Sequence, residues 1–294
     1  MGKLYLSPSK VATYENCPRE YFFKYVLKVQ MEEESSNLGF GSAAATAFEQ
    51  YVLGMVNGTP VDPVEVFRRE WGNFTANNVV GYSSMYSEEG LTKTGEVLMS
   101  KLPQAWIDSG FMVAMDGNGQ PLVERRLDIE IGRGIYFRTK LDVAVYDKDL
   151  RLGIVDMKTP KDPSSPEFTL LSDQLTAYQG TVEAHKASLG IEDSVSFVGY
   201  WEFLKRNIPK KSGTGPYIHT PELVPARPRA DVDAYMQKVA WVAENIQAGR
   251  FPRTPRMAFN SPCTLCSYAT LCARKSTEGL KFRSDEDRRL ALAA

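Results

Sequence analysis

The chain has 294 residues, with 35 Lys and Arg against 36 Asp and Glu for a formal charge of −1; 43% of it is hydrophobic and 24% charged. These proportions exclude a disordered or collagen-like chain, and a chain of this length buries about 75% of its extended surface, enough for one large core or two smaller ones. No apolar run approaches the length of a membrane span, so no membrane partner is expected. The segment Met1-Gly2-Lys3-Leu4-Tyr5-Leu6-Ser7-Pro8 lacks the apolar stretch of a secretory leader, so the expected compartment is the cytoplasm. A charge near zero leaves nucleic acid open as a partner, since binding needs only a local basic face.

In chain order, Ser7 as N-cap and Pro8 at the first helical position open a helical segment running to Lys28. Cys17-Pro18 interrupts it, so two short helices are expected to meet at the cysteine. An Ala-rich helix is expected over Ser42–Val56 after a glycine turn at Gly39 and Gly41, with further helices at Pro63–Phe74 and Thr92–Ser109 around a polar loop, 77–89. After Gly117-Asn118-Gly119 the pattern changes to strands at Leu122–Ile131, Ile135–Tyr146 and Leu152–Met157. Turns at Gly132-Arg133-Gly134 and Asp147-Lys148-Asp149 make these an antiparallel meander. Helical spacing through Leu171, Leu175, Tyr178 and Val182 predicts a helix over Phe168–Lys186. Strands at Val195–Leu204 and Tyr217–Val224 follow, then a helix over Asp231–Ala248. The stretch beyond Lys275, charged and then alanine-rich, reads as a frayed tail. There is no internal repeat, and the order predicts an α/β core with helical insertions.

Three of the four cysteines, Cys263, Cys266 and Cys272, lie within ten residues as C-x2-C-x5-C, while Cys17 stands alone near the start. A reducing compartment disfavours disulfides. The spacing suits thiolates converging on a soft metal centre better than unrelated buried thiols.

Asp156-Met157-Lys158 ends the third strand, and acid-x-Lys alone is a weak pattern. A hairpin centred on Asp149 sets residue 142 opposite residue 156, so Asp142 and Asp156 would be cross-strand neighbours about 5 Å apart at Cβ, with Lys158 on the same face. Carboxylates that close repel unless a cation lies between them, and oxygen ligands suit Mg²⁺ or Mn²⁺. An adjacent lysine can orient a water or stabilise a pentavalent phosphate, as metal-assisted phosphodiester hydrolysis requires. The alternative is a surface hairpin with solvated charges. The apolar Val143, Val145, Ile154 and Val155 around them argue for a buried sheet centre. On the next helix Gln174 and Tyr178 share a face and could point back to the acids, or could be a solvated glutamine and a core tyrosine.

Taken in order, these residues make the chain resemble the PD-(D/E)xK nuclease superfamily, in its RecB-like branch with a four-cysteine iron–sulfur cluster, together with the related CRISPR-adaptation and AddB-type nucleases. The resemblance rests on Leu6-Ser7-Pro8-Ser9-Lys10 through Cys17-Pro18-Arg19, on Lys140-Leu141-Asp142, on Asp156-Met157-Lys158-Thr159, on Gln174-Leu175-Thr176-Ala177-Tyr178, and on Cys17 with Cys263, Cys266 and Cys272. It implies a restriction-endonuclease-like αβββαβ core with a helical N-terminal insertion and a C-terminal iron–sulfur clasp. Asp142, Asp156 and the Met157 carbonyl would hold Mg²⁺ or Mn²⁺, Lys158 would be the catalytic lysine, and Gln174 and Tyr178 would assist. DNA, as single strands or ends, would be the substrate, with a helicase or an integration or recombination complex as a further partner. A [4Fe–4S] cluster on the four cysteines would staple the chain's ends. The implied division is N-terminal helices with the first cluster cysteine (1–30), a helical region (31–116), the nuclease core (117–225), the C-terminal helix and cysteines (226–275) and a tail (276–294).

The chain departs from the family in one place. Where members carry a metal-binding His in a G-x3-H pattern, Gly41-Ser42-Ala43-Ala44-Ala45 has Ala45. Glu49, one turn on, could supply a carboxylate instead. Basic residues Lys205, Arg206, Lys210 and Lys211, then Arg250, Arg253 and Arg256, and Arg19, Lys24 and Lys28 are either phosphate contacts or, taken singly, solvated surface charge, while Tyr21, Phe22, Phe23 and Tyr25 read as core rather than as base-stacking platforms. The leading reading is a metal-dependent DNA exonuclease. The others are a catalytically weakened module of the same fold that binds DNA or a partner, and a structural zinc in place of the cluster.

Overall fold

The computed structural model describes residues 3–209, 213–254 and 262–294. Its first elements are β1 (Leu4–Leu6), α1 (Pro8–Asn16), α2 (Pro18–Tyr21), a π-helical turn (Phe22–Val26), β2 (Gln30–Met31), β3 (Glu34–Ser35) and α3 (Ser36–Val56). Next come α4 (Pro63–Asn77), β4 (Val80–Gly81), α5 (Glu88–Ser109), β5 (Met112–Val113), β6 (Val123–Gly132), β7 (Ile135–Tyr146) and β8 (Leu152–Lys158). The remainder are α6 (Pro166–Leu170), α7 (Asp173–Leu189), β9 (Phe197–Leu204), β10 (Tyr217–Ile218), β11 (Glu222–Pro225), α8 (Arg229–Gln247), α9 (Ala269–Arg274), β12 (Leu280–Lys281) and α10 (Asp285–Ala293). None of the described helices is long and apolar enough to cross a membrane.

The helix starts follow side-chain caps. Ser7, Asp62, Ser87, Ser172 and Ser284 each accept a backbone N–H of the first turn, and Pro8 and Pro63 occupy first helical positions. Each cap contributes about 1 kcal/mol.

Contact density divides the chain into two units, one of residues 1–33, 129–138 and 233–294, the other of residues 34–128 and 139–232. In the second unit β8 runs antiparallel to β7 and parallel to β9, while β10 and β11 lie antiparallel on β9 and β5 antiparallel on β7, so the sheet is mixed. One core carries Phe40, Phe48, Phe67, Trp71, Leu98, Trp106, Val143, Val155 and Trp201. A second carries Leu141, Ala144, Ile154, Val198 and Tyr200 with Leu175, Tyr178 and Val182 of α7. Each fully buried large apolar side chain contributes about 1.5–3 kcal/mol. In the first unit β1 lies parallel to the start of β7 and β12 pairs antiparallel with β2. Its ends are tied by Tyr14 Oη donating to the Arg250 carbonyl (2.6 Å), Arg19 Nε to the Phe251 carbonyl (2.8 Å) and Tyr268 Oη to the Val29 carbonyl (2.9 Å).

Four expectations are corrected. Gly39 and Gly41 form no turn; helix α3 starts at Ser36 and runs through both. Glycine costs about 1 kcal/mol there relative to alanine, but at Gly39 the Phe74 ring lies where a Cβ would stand, 2.2 Å from the nearest carbon. Gly39→Ala should therefore destabilise the protein by about 1–3 kcal/mol despite its better helix propensity, measurable as a lower urea midpoint; an unchanged or higher midpoint would show that Phe74 moves aside freely. The helix expected over Phe168–Lys186 breaks at Leu171, which is 82% exposed, and restarts on the Ser172 cap. The strand expected over Tyr217–Val224 is two short strands. The tail beyond Lys275 is not frayed: β12 pairs with β2, Ser284 caps α10, and Leu280 and Ala291 are buried with Phe23, Leu27, Val29, Tyr268 and Leu271.

Candidate active site

Strand β8 is buried from Leu152 to Met157, so its polar residues sit in an apolar setting. Asp156 is 1% exposed and Lys158, at the strand's end, keeps 40% of its side chain in solvent. The β7–β8 register has the expected centre, Val143 opposite Val155 and Tyr146 opposite Leu152. The recorded pairing stops there, however, and residues 142 and 156 are not a ladder pair. Instead Asp142 accepts the Met157 N–H on Oδ2 at 2.8 Å. The side chain takes a backbone donor beyond the last ladder pair, which fixes Asp142 beside the β8 terminus.

Lys158 Nζ forms an ion pair with Asp156 Oδ2. Apart from that ammonium, Asp156 Oδ2 is buried with no hydrogen-bond partner. Burial, and then the charge of Asp156, push the Asp142 carboxyl up to about 7. Burial works against the Lys158 charge, but Asp156 and Asp142 together outweigh it and hold the ammonium above the ordinary lysine range. Two carboxylates and one ammonium thus share a corner in which the buried Asp156 Oδ2 has the Lys158 ammonium as its one described partner.

The α7 helix does aim Gln174 and Tyr178 at this corner. Gln174 Nε2 donates to Asp156 Oδ1 at 3.2 Å and to Tyr178 Oη at 2.7 Å. Burial, followed by the charges of Asp156 and Asp142, raises the Tyr178 phenol strongly. Gln174→Ala should lower turnover about 10-fold or more with an unchanged melting temperature; equal losses of both would make Gln174 a packing residue alone.

Glu49 is half-buried on α3, and no described interaction joins it to Asp142 or Asp156. Among the described residues no group of three or more His, Cys, Asp and Glu stands ready to hold a metal ion.

Two residues escaped the sequence analysis. In the parallel pairing of β8 with β9, Tyr200 lies beside Asp156 and Glu202 beside Lys158. Tyr200 Oη and Ser172 Oγ are 2.5 Å apart, and Lys158 Nζ sits 5.6 Å from the Tyr200 ring. Glu202, 2% exposed, accepts the Ser164 N–H and hydroxyl. The intervening α6–α7 crossover hides this register from the sequence.

All four cysteines, with Arg19, Glu20, Phe23, Arg253 and Tyr268, line one cavity of about 240 Å³ in the first unit. Burial pushes the Cys266 thiol up to about 11, with Glu20, Cys17 and Cys263 adding to the shift.

The basic loop is corrected in part. Lys205 is 8% exposed and its ammonium, which burial disfavours, donates to Asn37 Oδ1 at 2.7 Å near the Phe40 and Tyr86 rings, so it is turned into the protein and away from a phosphate. Arg206 pairs with Asp162 at 3.0 Å. Lys210, Lys211 and Arg256 lie outside the described residues.

A mixed α/β fold that gathers two carboxylates and a lysine at the end of a buried strand has the kinds of group that metal-assisted phosphodiester hydrolysis uses. A family model described as the PD-(D/E)XK nuclease superfamily matches residues 5–273, and the chain belongs to that superfamily. No curated protein matches the chain. A solved structure, that of SSO0001, aligns over 94% of this chain and 89% of its own at 10% identity and a TM-score of 0.37.

Proposed function

We propose that the chain is a Mg²⁺- or Mn²⁺-dependent deoxyribonuclease acting on single strands or DNA ends. The observation that carries the reading is the buried pair Asp142 and Asp156, brought together at the end of β8 with Lys158 as the one described partner of Asp156 Oδ2. A hard divalent cation fits that oxygen-rich corner, since it would offset both the burial and the Asp156 charge that raise Asp142. Asp142 and Asp156, with the Met157 carbonyl, would hold it. When bound, such a cation polarises the phosphate and favours ionisation of the attacking water.

The chain's own groups do the rest. Lys158, held protonated by the two acids, presents a cation with two-fifths of its side chain open to solvent, where a phosphate oxygen gains charge during attack. Gln174 keeps Asp156 oriented through Oδ1, leaving Oδ2 toward the site, and Tyr178 fixes Gln174 in turn.

In the first unit the four thiols line one cavity without being gathered as a ready metal site, and their soft chemistry is what a [4Fe–4S] cluster would use. Its role would be to fasten residues 1–33 to 233–294, segments the hydrogen bonds from Tyr14, Arg19 and Tyr268 already bring together.

One observation favours a second reading, a weakened DNA-binding module: Ala45 stands where the family has a ligand, and Glu49 has no described link to the acids. The deciding experiment is anaerobic purification followed by cleavage of end-labelled single-stranded and duplex DNA with Mg²⁺, with Mn²⁺ and with EDTA. Metal-dependent cleavage supports the nuclease. Binding without cleavage under both metals supports the module.

A further inference from the structure

Helix α6 and its C-cap carry large apolar side chains that no core receives. Phe168 is 60% exposed, Leu170 49% and Leu171 82%. Among the described phenylalanines and tryptophans only Phe168 and Trp241 are exposed. Scattered surface hydrophobes need no explanation, but this group is firmly mounted. Ahead of α6, the Ser164 N–H and hydroxyl are held by the buried Glu202 carboxylate. Behind it, Arg227 Nη2 donates to the Thr169 and Leu170 carbonyls, and the Arg227 backbone is clamped by reciprocal bonds of 2.7 and 2.9 Å to the Gln179 amide. The next residue after Leu171 is Ser172, whose hydroxyl meets Tyr200. Buried polar anchors on both sides keep exposed apolar groups in a fixed place.

That place adjoins the acid–lysine corner. The Phe168 ring centroid is 5.9 Å from that of Tyr200, at 35° between planes. Tyr200 is the register neighbour of Asp156, and Lys158 Nζ lies 5.6 Å from the same ring. One tyrosine therefore separates the exposed phenylalanine from the catalytic ammonium, a distance that one or two nucleotides bridge.

We infer that Phe168, flanked by Leu171, is a stacking platform for the base next to the scissile phosphate, so that this site takes DNA whose bases are unpaired and unstacked. The inference rests on the nuclease reading for the identity of the neighbouring phosphate site. In a duplex both faces of each base are covered by neighbours, and only the edges and the backbone are offered. A single strand or a frayed end presents a π-face that an exposed aromatic ring can cover without regard to sequence.

The test uses a single-stranded oligodeoxynucleotide containing 2-aminopurine, titrated by fluorescence in Mg²⁺ into the full chain carrying Asp156→Ala, so that nothing is cleaved. Adding Phe168→Ala should weaken binding about 5- to 100-fold, and Phe168→Trp should restore it. A strand abasic at the stacked position, with the same phosphates, and a fully paired duplex should each bind both proteins equally. Equal affinity of the Phe168 and Phe168→Ala proteins for the intact strand would overturn the inference. So would an equal loss on the abasic strand or on the duplex. Leu171→Ala, at a position 82% exposed, provides a second variant that leaves packing intact and should weaken single-strand binding less than Phe168→Ala does. Because the titration needs no turnover, failure of the unmutated protein to cut DNA would sink the nuclease reading while the stacking question is still answered.

Discussion

Asp156→Ala should lower the rate of DNA cleavage by at least about 1,000-fold, since losing about 4 kcal/mol of transition-state stabilisation at a metal-assisted centre has that effect. Asp156 is the junction of the site: Oδ1 accepts from Gln174, Oδ2 faces Lys158, and the carboxylate is 1% exposed. Its removal takes away a proposed metal ligand, releases the glutamine and leaves the lysine beside a cavity. Asp142→Asn should be similarly inactive but for a narrower reason, since asparagine can still accept the Met157 N–H while ligating a cation poorly. In EDTA this variant should melt no lower than the parent, because a buried charge facing another like charge has been removed. Circular dichroism, melting temperature and single-turnover cleavage of labelled DNA check both variants. Cleavage by Asp156→Ala at the unmutated rate would refute the assignment.

Cys17→Ala should abolish the brown colour and the absorbance near about 400 nm expected of anaerobically purified protein, and should destabilise the unit formed by the chain ends. Cys17 and Cys263 are 246 positions apart, and by loop-closure entropy a covalent link across such a loop contributes about 5 kcal/mol. The hydrogen bonds of Tyr14, Arg19 and Tyr268 and the small core around Phe23 and Leu271 join the same segments, so the loss should appear first as proteolysis within 1–33 and 233–294. The three remaining thiols leave the cluster one ligand short, so partial metal retention should be poor. A colourless, fully folded protein containing one zinc would replace the cluster with a structural zinc site and leave the Asp156 prediction untouched.

Local chemistry in the sequence determined much of this protein. Ser7, Asp62 and Ser87 start helices by capping, with Pro8 at the first helical position, which needs only the next few residues. The Asp147–Asp149 turn set the β7–β8 register because a hairpin's pairing is fixed by where its loop is centred. That register placed Asp142, Asp156 and Lys158 together, and helical spacing placed Gln174 and Tyr178 one turn apart. Only the tertiary structure decided what depends on distant chain. Helix α3 runs through Gly39, and Phe74 requires the glycine there, because the ring packs where a Cβ would stand. Lys205 became a buried lysine through Asn37, Phe40 and Tyr86, none of them near it in sequence. Tyr200 and Glu202 joined the site through a parallel pairing whose register is set by how the crossover packs and not by its length. The same crossover brought Phe168 to the edge of the acids, since a helix too short to bury its own apolar residues takes its place from the polar anchors on either side.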